Sequence, residues 1–553
     1  MPSSFGLMPS ASKMSTWLDP PSMLSTFRTT STLPATADIV IIGSGFSGAS
    51  VAYHALKAYS GINIVMLEAG DICQGASGRN GGHLRPDLFS YASTLASKYG
   101  PEEAVKHNQF ERANYDAVRK LAEEEGIECE ISTDSEAWQV FLTEEEFKTA
   151  LSELGLMRNF GGDVHDVRVY MQDEARKITG IRACVGAISS PGTSISPSKL
   201  VTSLLEQSLF CGLNLQTHTK VLSVSRHSTN NGVFSSDVCS TCDSETEDFE
   251  HVDFASLRIS PKKSSYLHRV TTTRGSILAN KVVHATNAYL DTLLSFSSDV
   301  QDTRKTPGST VLVSPVRGHV IEIASTLKEG RRLSLDPNHK ITNMTFNRGG
   351  EYLIQRPNGN FVLGGCRRFG QEQGVESFFS TTTEETEIDT AVDLSLRSFF
   401  TQTLCYDSAH YLQPPRTVFG ESAHNTHYSS EYKIVKQWTG IMGFSVDDFS
   451  LVGKVPSFFL EESQEYCIAG FTGHGMARIF LAAKALVNMI LQEDEEYQFD
   501  CQYHSLAGSV SECDFSGQTD VADVILPESF KITEERLATM ISLSHAKEKK
   551  LRE

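Results

Sequence analysis

The clearest pattern of apolar and polar positions lies near the start of the chain. Residues 39–42 form an aliphatic run that is typical of a strand buried on both faces of a sheet. A glycine-rich turn follows directly, and residues 49–59 then carry apolar side chains at helical spacing. A second apolar run, residues 62–67, ends at Glu68. This order of strand, turn, helix and strand predicts a parallel β-α-β unit of about thirty residues.

Further along the chain, other segments are regular enough to predict secondary structure. A hairpin is predicted where two apolar runs flank the turn at residues 355–359. Between about residues 226 and 268, Ser, Thr, Asn and Asp dominate, which predicts a polar surface insertion. The remaining regular segments predict helices at 197–210, 476–491 and 534–549 and strands at 213–225 and 281–286.

The spacing of glycines in the first turn indicates chemistry as well as structure. In Gly43-x-Gly45-x-x-Gly48, the first glycine permits a tight turn and the second lets a pyrophosphate approach the backbone. The third lets the helix lie close to the sheet, and the helix N-terminus attracts phosphate. Glu68 stands where a carboxylate accepts hydrogen bonds from an adenosine ribose. The predicted dinucleotide contacts of this unit are Gly43, Gly45, Phe46, Ser47, Gly48, Glu68 and Ala69.

Composition narrows the possible partners. The chain of 553 residues has 49 Lys and Arg against 68 Asp and Glu, a net charge of −19. Such a charge repels nucleic-acid phosphates and anionic lipids, and no apolar run reaches the roughly 18 residues that a membrane span needs. We therefore expect neither nucleic acid nor a membrane as a partner.

The cysteines indicate a cellular compartment. The 11 cysteines are scattered irregularly, which is typical of free thiols in a reducing compartment and predicts a cytoplasmic protein. The one close pair, Cys239 and Cys242, has no second pair at zinc-ligand spacing, so no metal site is predicted.

A second loop distinguishes FAD from NAD. Residues 76–83 read Ala-Ser-Gly-Arg-Asn-Gly-Gly-His, directly after the second strand. Here the chain resembles the D-amino-acid oxidase superfamily of flavoproteins, which includes glycine oxidase, sarcosine oxidase and γ-glutamylputrescine oxidoreductase. The resemblance implies that this loop follows the pyrophosphate of FAD toward the flavin ring. The contacts that it implies here are Ser77, Arg79, Asn80, Gly81, Gly82 and His83.

Three later segments resemble the same family in the same order. Residues 215–223 resemble the strand that recognises adenine, residues 285–289 the turn that closes the cofactor domain, and residues 438–443 with 470–476 the C-terminal flavin segment. A helix N-terminus in the last segment would stabilise negative charge on the flavin. The additional FAD contacts implied by these segments are Val221, Thr286, Gly440, Gly473, His474, Gly475 and Met476.

The resemblance also implies an α/β fold with two domains. A doubly wound FAD-binding domain and a substrate domain built on an antiparallel sheet are expected, with an N-terminal arm and a C-terminal tail around the outside. The expected boundaries are 1–35 for the arm; 36–90, 190–290 and 430–495 for the FAD-binding domain; 91–189 and 307–429 for the substrate domain; and 496–553 for the tail.

The implied activity is oxidation of a C–N bond in a small amine or amino acid, with hydride transfer to flavin N5. Two alternatives are an NAD-linked dehydrogenase and a flavin-binding protein without turnover. Tyr352, Gln355 and Arg356 are the candidate substrate contacts, and Tyr352, Arg367 and His83 the candidate catalytic residues. FAD is expected to bind noncovalently, because His83 does not fall at the family's attachment position. The lysine that assists the reaction of reduced flavin with oxygen in sarcosine oxidases is absent from residues 361–368. The sequence therefore does not decide between oxygen and another electron acceptor.

Overall fold

The structure, a computed structural model, describes residues 14–59, 61–132, 135–227, 267–294, 311–325, 341–370, 388–404, 432–456, 464–493 and 525–552. Three predicted features lie wholly or largely outside these residues. They are the Cys239 and Cys242 pair, the polar insertion at 226–268 and the C-terminal tail at 496–553.

Eighteen strands make up the sheets of the described chain. In chain order they are β1 Thr36–Ile42, β2 Ile64–Leu67, β3 His83–Leu84, β4 Glu136–Phe141, β5 Arg168–Met171, β6 Gly186–Pro191, β7 Thr193–Ser194, β8 Asn214–Gln216, β9 Val221–Arg226, β10 His268–Thr272, β11 Gly275–His284, β12 Val313–Ser325, β13 Ile341–Phe346, β14 Glu351–Gln355, β15 Phe361–Gly365, β16 Tyr432–Ser445, β17 Leu451–Lys454 and β18 Glu465–Ala469.

The α-helices alternate with these strands, most of them in the first half of the chain. They are α1 Phe46–Ala58, α2 Ala92–Tyr99, α3 Pro101–Glu124, α4 Glu144–Phe160, α5 Gln172–Thr179, α6 Pro197–Phe210, α7 Thr390–Phe399, α8 Ile479–Gln492 and α9 Glu534–Arg552. Within the described ranges, none of the helices has the length and apolar character needed to cross a membrane.

The first sheet contains the predicted β-α-β unit. Its strand order is β17-β18-β11-β1-β2-β8, and β10 and β9 extend it from β11. Strand β1 pairs in parallel with both β2 and β11, so it lies inside the sheet. Val40 and Ile41 point to opposite faces and are both completely buried, because each packs into an apolar cluster on its own side of the sheet. Helices α6 and α8 pack beside α1 over one face of this sheet, and residues of β9 and β10 pack against Val40 and Val65.

The second sheet is mainly antiparallel, with the strand order β16-β12-β15-β14-β13-β4-β6-β5. Only β13 and β4 run parallel among the neighbours in this order. The two sheets together confirm the predicted α/β fold with a second, largely antiparallel sheet. One boundary differs from the prediction, because β16 belongs to this sheet although residues 430–495 were expected in the FAD-binding domain. The reason is its ladder with β12, which runs from Val313 to Ser325 with one register shift between Glu322 and Ile323.

The N-terminal arm is more deeply packed than the sequence suggests. We expected residues 1–35 to wrap the outside, but Trp17 is only 5 % exposed and lies in a cluster with Val320, Ile354, Val362 and Trp438. Farther along the arm, the Thr29 N–H donates to Leu215 O at 2.9 Å, beside the edge of the first sheet. The arm therefore contacts both sheets.

A half-buried histidine of α1 that contacts α8 predicts that the stability of the fold depends on pH. Burial lowers the pKa of His54 to about 3, and its Nε2 lies 3.0 Å from Phe480 O. In the unfolded chain the same imidazole takes up a proton below about pH 6.5. The unfolded state therefore binds more protons, and the free energy of unfolding falls as the pH drops from about 6.5 toward 3.

We predict that His54→Gln reduces this acid sensitivity, because glutamine keeps a donor for Phe480 O but does not titrate. The slope of unfolding free energy against pH between 5.5 and 4 should decrease by up to about 1.4 kcal/mol per pH unit. Urea unfolding at several pH values measures it. His165→Gln is the control, since His165 is exposed and Asp163 raises its pKa. Its imidazole is therefore protonated in this pH range in both the folded and the unfolded chain. An unchanged slope in His54→Gln would contradict the prediction.

Candidate active site

A large cavity of about 1430 Å³ lies between the two sheets. Most of the residues predicted from sequence line it: Gly43, Gly45, Phe46, Ser47, Glu68, Ala69, Ser77, Arg79, Asn80, Gly81, His83, Val221, Thr286, Tyr352, Arg367, Gly440, Gly473, His474, Gly475 and Met476. Gly48, Gly82, Gln355 and Arg356 are not among the lining residues. The structure thus brings together segments that are up to about 430 positions apart in the chain.

The glycine turn between β1 and α1 forms one end of the cavity. Gly43 has a φ of +107°, and a Cβ there would lie 2.7 Å from Ala285 O. A Cβ on Gly48 would lie 1.9 Å from Gly43 O, so only glycine allows α1 to approach the turn this closely. Both glycines are therefore required by the fold, and Gly45 faces the cavity.

The N-terminus of α1 points toward this end of the cavity. Backbone N–H groups in a first helical turn have no acceptor within the helix and carry the positive end of the helix dipole. One of them, the Phe46 N–H, donates to Ser77 Oγ at 2.8 Å. Ser77 thereby fixes the second loop against the helix N-terminus. The combination is suited to binding an anion such as a pyrophosphate.

Glu68 lies beside this anion site and is held by three hydrogen bonds. Its Oε2 accepts from the Ser44 N–H at 2.9 Å and from Ser44 Oγ at 2.7 Å, and its Oε1 accepts from the Gly70 N–H at 3.0 Å. Ser44 was not predicted as a site residue. Its position between Gly43 and Gly45 was the feature of the sequence that could have indicated it. The carboxylate is fixed at the cavity wall, in position to accept hydrogen bonds from sugar hydroxyls.

Arg79 joins the two sheets. Its Nε donates to Gln74 O at 2.9 Å, and its Nη1 donates to Thr439 O in β16 at 3.0 Å. The resemblance implied Arg79 as an FAD contact, and in the structure these two donors bind backbone carbonyls. Arg79 still lines the cavity, where its positive charge favours a bound anion.

The floor of the cavity is one row of residues across the second sheet. Gln139, Thr345 and Tyr352 lie side by side in β4, β13 and β14, and the row continues through Gly364 to Val320. A Cβ on Gly364 would lie 2.4 Å from the ring of Tyr352. The missing side chain at Gly364 therefore leaves the space that the Tyr352 ring occupies.

His83 and Tyr352 face each other at the middle of the cavity, with ring centroids 5.5 Å apart and nearly perpendicular planes. Burial, together with the charge of Arg85, lowers the pKa of His83 to about 3. Burial also raises the pKa of Tyr352 to about 12. Both side chains are therefore uncharged at neutral pH, so neither one carries a formal charge to a bound ring or substrate.

The far end of the cavity holds buried and half-buried charged side chains that the sequence analysis did not predict. Arg85 Nη1 donates to Thr345 Oγ1 at 2.7 Å. Glu111 accepts from Arg478 Nε and from the Asp87 N–H, both at 2.6 Å. Burial would raise the pKa of Asp87, but the charge of Arg85 outweighs that effect and lowers it. These residues come from distant segments. The only signal in the local sequence was that Arg85 follows His83 by two positions, the spacing of residues on one face of a strand.

The segment before α8 closes the cavity from the opposite side. Gly473 has a φ of +80°, and residues Gly475–Ala477 form a short 3-10 turn before α8 begins at Ile479. The helix thus starts three residues later than predicted. Burial, and next the charge of Arg478, lowers the pKa of His474 to about 4, so it too is neutral at neutral pH.

Arg356, predicted to bind substrate, has other partners. Its guanidinium pairs with Glu130 at 3.1 Å and Glu322 at 3.3 Å and donates to Thr16 Oγ1 at 2.7 Å. It also lies over the ring of Trp17, 4.9 Å from the centroid. These contacts engage its guanidinium away from the cavity.

Gln355, the other predicted substrate contact in this region, does not line the cavity either. It follows Tyr352 by three positions in β14, and successive residues of a strand point to opposite faces of the sheet. Gln355 and Tyr352 therefore lie on opposite faces. Tyr352 is therefore the one of the three predicted substrate contacts that lines the cavity.

The family model for FAD dependent oxidoreductases (DAO) matches residues 38–489, which is most of the chain. This protein belongs to that family. FAD is therefore its cofactor, and the NAD-linked alternative is excluded. The cavity fits FAD, because it has a glycine cradle at the N-terminus of α1, a fixed carboxylate at Glu68 and glycines along the second loop.

Individual relatives are matched over short segments. Gamma-glutamylputrescine oxidoreductase of Escherichia coli is 32% identical over 95 residues, which are 17% of this chain and 22% of that protein. One component of the anaerobic glycerol-3-phosphate dehydrogenase of Haemophilus influenzae is 28% identical over 197 residues, 34% of this chain and 30% of that protein. The probable oxidoreductase OrdL of Rhizobium meliloti is 25% identical over 191 residues, 34% of this chain and 44% of that protein. The matches thus span less than half the length of these relatives.

Solved structures resemble the whole fold. Glycine oxidase from Geobacillus kaustophilus has a TM-score of 0.56 at 16% identity, covering 86% of this chain and 100% of that one. L-amino acid deaminase from Proteus myxofaciens has a TM-score of 0.57 at 13% identity, covering 89% and 96%. At these identities the likeness establishes the fold alone.

We predict that Gly45→Val abolishes FAD binding. A Cβ at this position would already lie 3.0 Å from Ser77 Oγ, and the two further methyl groups of valine would fill the space before the helix N-terminus. Glu68→Gln should cost only about 1–2 kcal/mol of FAD binding free energy, because an acceptor remains. Titration of the FAD-free protein, followed by flavin fluorescence, measures both.

The control for Gly45→Val is Gly155→Val, because a Cβ on Gly155 meets no atom within 4 Å and the residue does not line the cavity. FAD binding as tight as in the parent protein would show that Gly45 does not face the pyrophosphate.

Proposed function

We propose that this protein oxidises the C–N bond of an α-amino acid, with FAD as the hydride acceptor. The observation that carries the proposal is a half-buried cation at the far end of the cavity. Arg85 lines the cavity and donates to the neutral hydroxyl of Thr345, and among the described residues no carboxylate forms an ion pair with it. A carboxylate on the substrate would supply an ion-pair partner in direct contact.

The physical argument rests on the cost of burying a charge. An arginine taken out of water is stabilised only if an anion or several acceptors replace the lost hydration. Burial lowers the pKa of Arg85 although the charges of Asp87 and Glu111 act in the opposite direction, so these carboxylates compensate the cation only in part. A guanidinium also matches a carboxylate in shape, since two parallel N–H groups can donate to its two oxygens.

Two further cations support an anionic substrate. Arg348, in the turn after β13, lines the cavity and makes no ion pair or hydrogen bond within the part of the chain that the structure describes. Arg367 lines it too, with its guanidinium 5.1 Å from the centre of the Phe444 ring. We propose that Arg85 binds the substrate carboxylate and that Arg348 lies at the entrance and attracts it.

The same cations favour the reactive form of the substrate. FAD, when bound, accepts hydride from the carbon next to nitrogen, which requires an uncharged amine. Positive charges at Arg85 and Arg367 lower the proton affinity of a nearby amine. His83 and Tyr352 stay neutral over the physiological pH range, because their pKa values are about 3 and about 12. We therefore assign them to positioning the substrate rather than to proton transfer.

A phosphate is the other anion that arginines would bind in this cavity. The matched protein of Haemophilus influenzae belongs to a glycerol-3-phosphate dehydrogenase, whose substrate carries such a group. Arg85 favours a single planar carboxylate. Its Nη1 donates to Thr345, and its other N–H donors can bind the two oxygens of such a group. A phosphorylated alcohol is therefore the second candidate and belongs in the same substrate test.

We predict that at least one α-amino acid bleaches the flavin of the purified protein without oxygen, and that the corresponding decarboxylated amine does so poorly. Arg85→Gln should weaken the apparent binding of that amino acid roughly 10- to 100-fold, because a charge-assisted interaction is lost. Stopped-flow absorbance in an anaerobic cell measures both. Arg158→Gln, an exposed arginine at the end of α4, is the control.

Three outcomes would count against this proposal. Bleaching by glycerol 3-phosphate alone would show that the arginines bind a phosphate group. Equal bleaching by the amino acid and its decarboxylated amine would show that Arg85 does not bind a substrate carboxylate. A protein that binds FAD but is reduced by no amine, amino acid or hydroxy acid would be a flavin-binding protein without turnover.

Reoxidation by oxygen is a separate prediction. Oxygen reduction is assisted by a positive charge beside the flavin, and Arg367 is the cation in the strand region that lacks the family's lysine. Arginine is bulkier than lysine, so the replacement is not conservative. We expect the substrate-reduced protein to be reoxidised by air, and Arg367→Gln to slow that step at least tenfold. Fast reoxidation that Arg367→Gln leaves unchanged would place Arg367 away from the flavin.

A further inference from the structure

Two tryptophans donate to consecutive carbonyl groups of the second loop. Trp438 Nε1 donates to Arg79 O at 2.9 Å, and Trp17 Nε1 donates to Asn80 O at 2.7 Å. Trp438 lies in β16 of the second sheet, whereas Trp17 belongs to the N-terminal arm, outside the segment that the family model matches. Both side chains are buried in the same apolar cluster.

We infer that Trp17 is a positioning residue for FAD, acting through the backbone of residues 79–82. The inference rests on the proposed path of FAD along this loop and is independent of the substrate. A carbonyl removed from water needs a hydrogen-bond donor, and Trp17 supplies that donor for Asn80. Because the neighbouring peptide is fixed by Trp438, the two indoles together fix the orientation of two successive peptide planes.

The rest of the loop transmits this constraint to the cavity. The Asn80 side chain donates to Ser77 O at 2.9 Å and accepts from the Gly82 N–H at 2.8 Å. Gly82 has a φ of +74°, and a Cβ there would lie 2.8 Å from the Trp17 ring. Rotation of the peptide after Asn80 would thus disturb Ser77, which contacts the helix N-terminus, and Gly81, which lines the cavity.

Trp17 is itself held in place by charged and polar contacts. The Trp17 carbonyl accepts a hydrogen bond from Ser198 Oγ at the start of α6. The guanidinium of Arg356 lies over the Trp17 ring and donates to Thr16, while the carboxylates of Glu130 and Glu322 also bind this guanidinium. Two residues after Trp17, Asp19 pairs with Lys436 of β16 at 2.6 Å. These contacts fix the indole with its N–H directed toward Asn80 O.

The test separates the hydrogen bond from simple filling of space. Trp17→Phe keeps a ring in the pocket and removes the N–H donor, whereas Trp17→Ala removes both. We expect Trp17→Phe to bind FAD about tenfold more weakly than the parent, with a changed visible circular dichroism of the bound flavin. At saturating FAD, its rate of anaerobic flavin reduction should fall, while the apparent substrate affinity stays within twofold.

The matched control is Met23→Ala, since Met23 lies in the same arm and is 97% exposed. Two truncations provide a second control: removal of residues 1–13 keeps every contact described above and should bind FAD normally, and removal of residues 1–19 should weaken binding more than Trp17→Phe does.

Parent-like FAD affinity and circular dichroism in Trp17→Phe, with loss only in Trp17→Ala, would overturn the inference and make Trp17 a packing residue. If the parent protein itself bound no FAD, or if Gly45→Val bound it normally, the proposed cofactor path would fail instead. The two failures are therefore distinguishable.

Discussion

The hydrogen bonds of residues 77–83 are the interaction on which the rest of the site depends. This segment contacts the first sheet through Ser77 and the N-terminus of α1, and the second sheet through Arg79 and Thr439. It contacts the N-terminal arm through Asn80 and Trp17. Three separate parts of the chain therefore meet in seven residues, and the cavity between the sheets takes its shape from this junction.

Charge divides the cavity into regions with different chemistry. At one end, glycines and helical N–H groups offer backbone dipoles beside the charged side chains of Glu68 and Arg79, which suits a pyrophosphate that has to lie close to the backbone. In the middle, His83, Tyr352 and His474 are uncharged at neutral pH because burial shifts their pKa values away from 7. At the far end, Arg85 remains a cation, and this sequence of environments matches a dinucleotide, a flat ring and a small anion.

The sequence was sufficient to predict the parts of the site whose chemistry is local. The glycine spacing, the strand before it and Glu68 lie within one β-α-β unit, so their arrangement follows from backbone geometry. Arg85 and Trp17 could not be found this way, because the contacts on which their proposed roles rest are made to Thr345 and Asn80 in distant segments. Arg356 was assigned to substrate for the same reason: its partners, Glu130 and Glu322, are visible only in the folded protein.

The central claim is that FAD lies in the cavity between the sheets, along residues 77–83. Hydrogen–deuterium exchange of the protein with and without FAD tests this most directly, because bound ligand slows exchange where it orders or covers the backbone. We predict slower exchange in residues 43–48, 76–83 and 472–477, and unchanged exchange in α5, which does not line the cavity. Flavin binding with unchanged exchange in residues 76–83 would contradict the account.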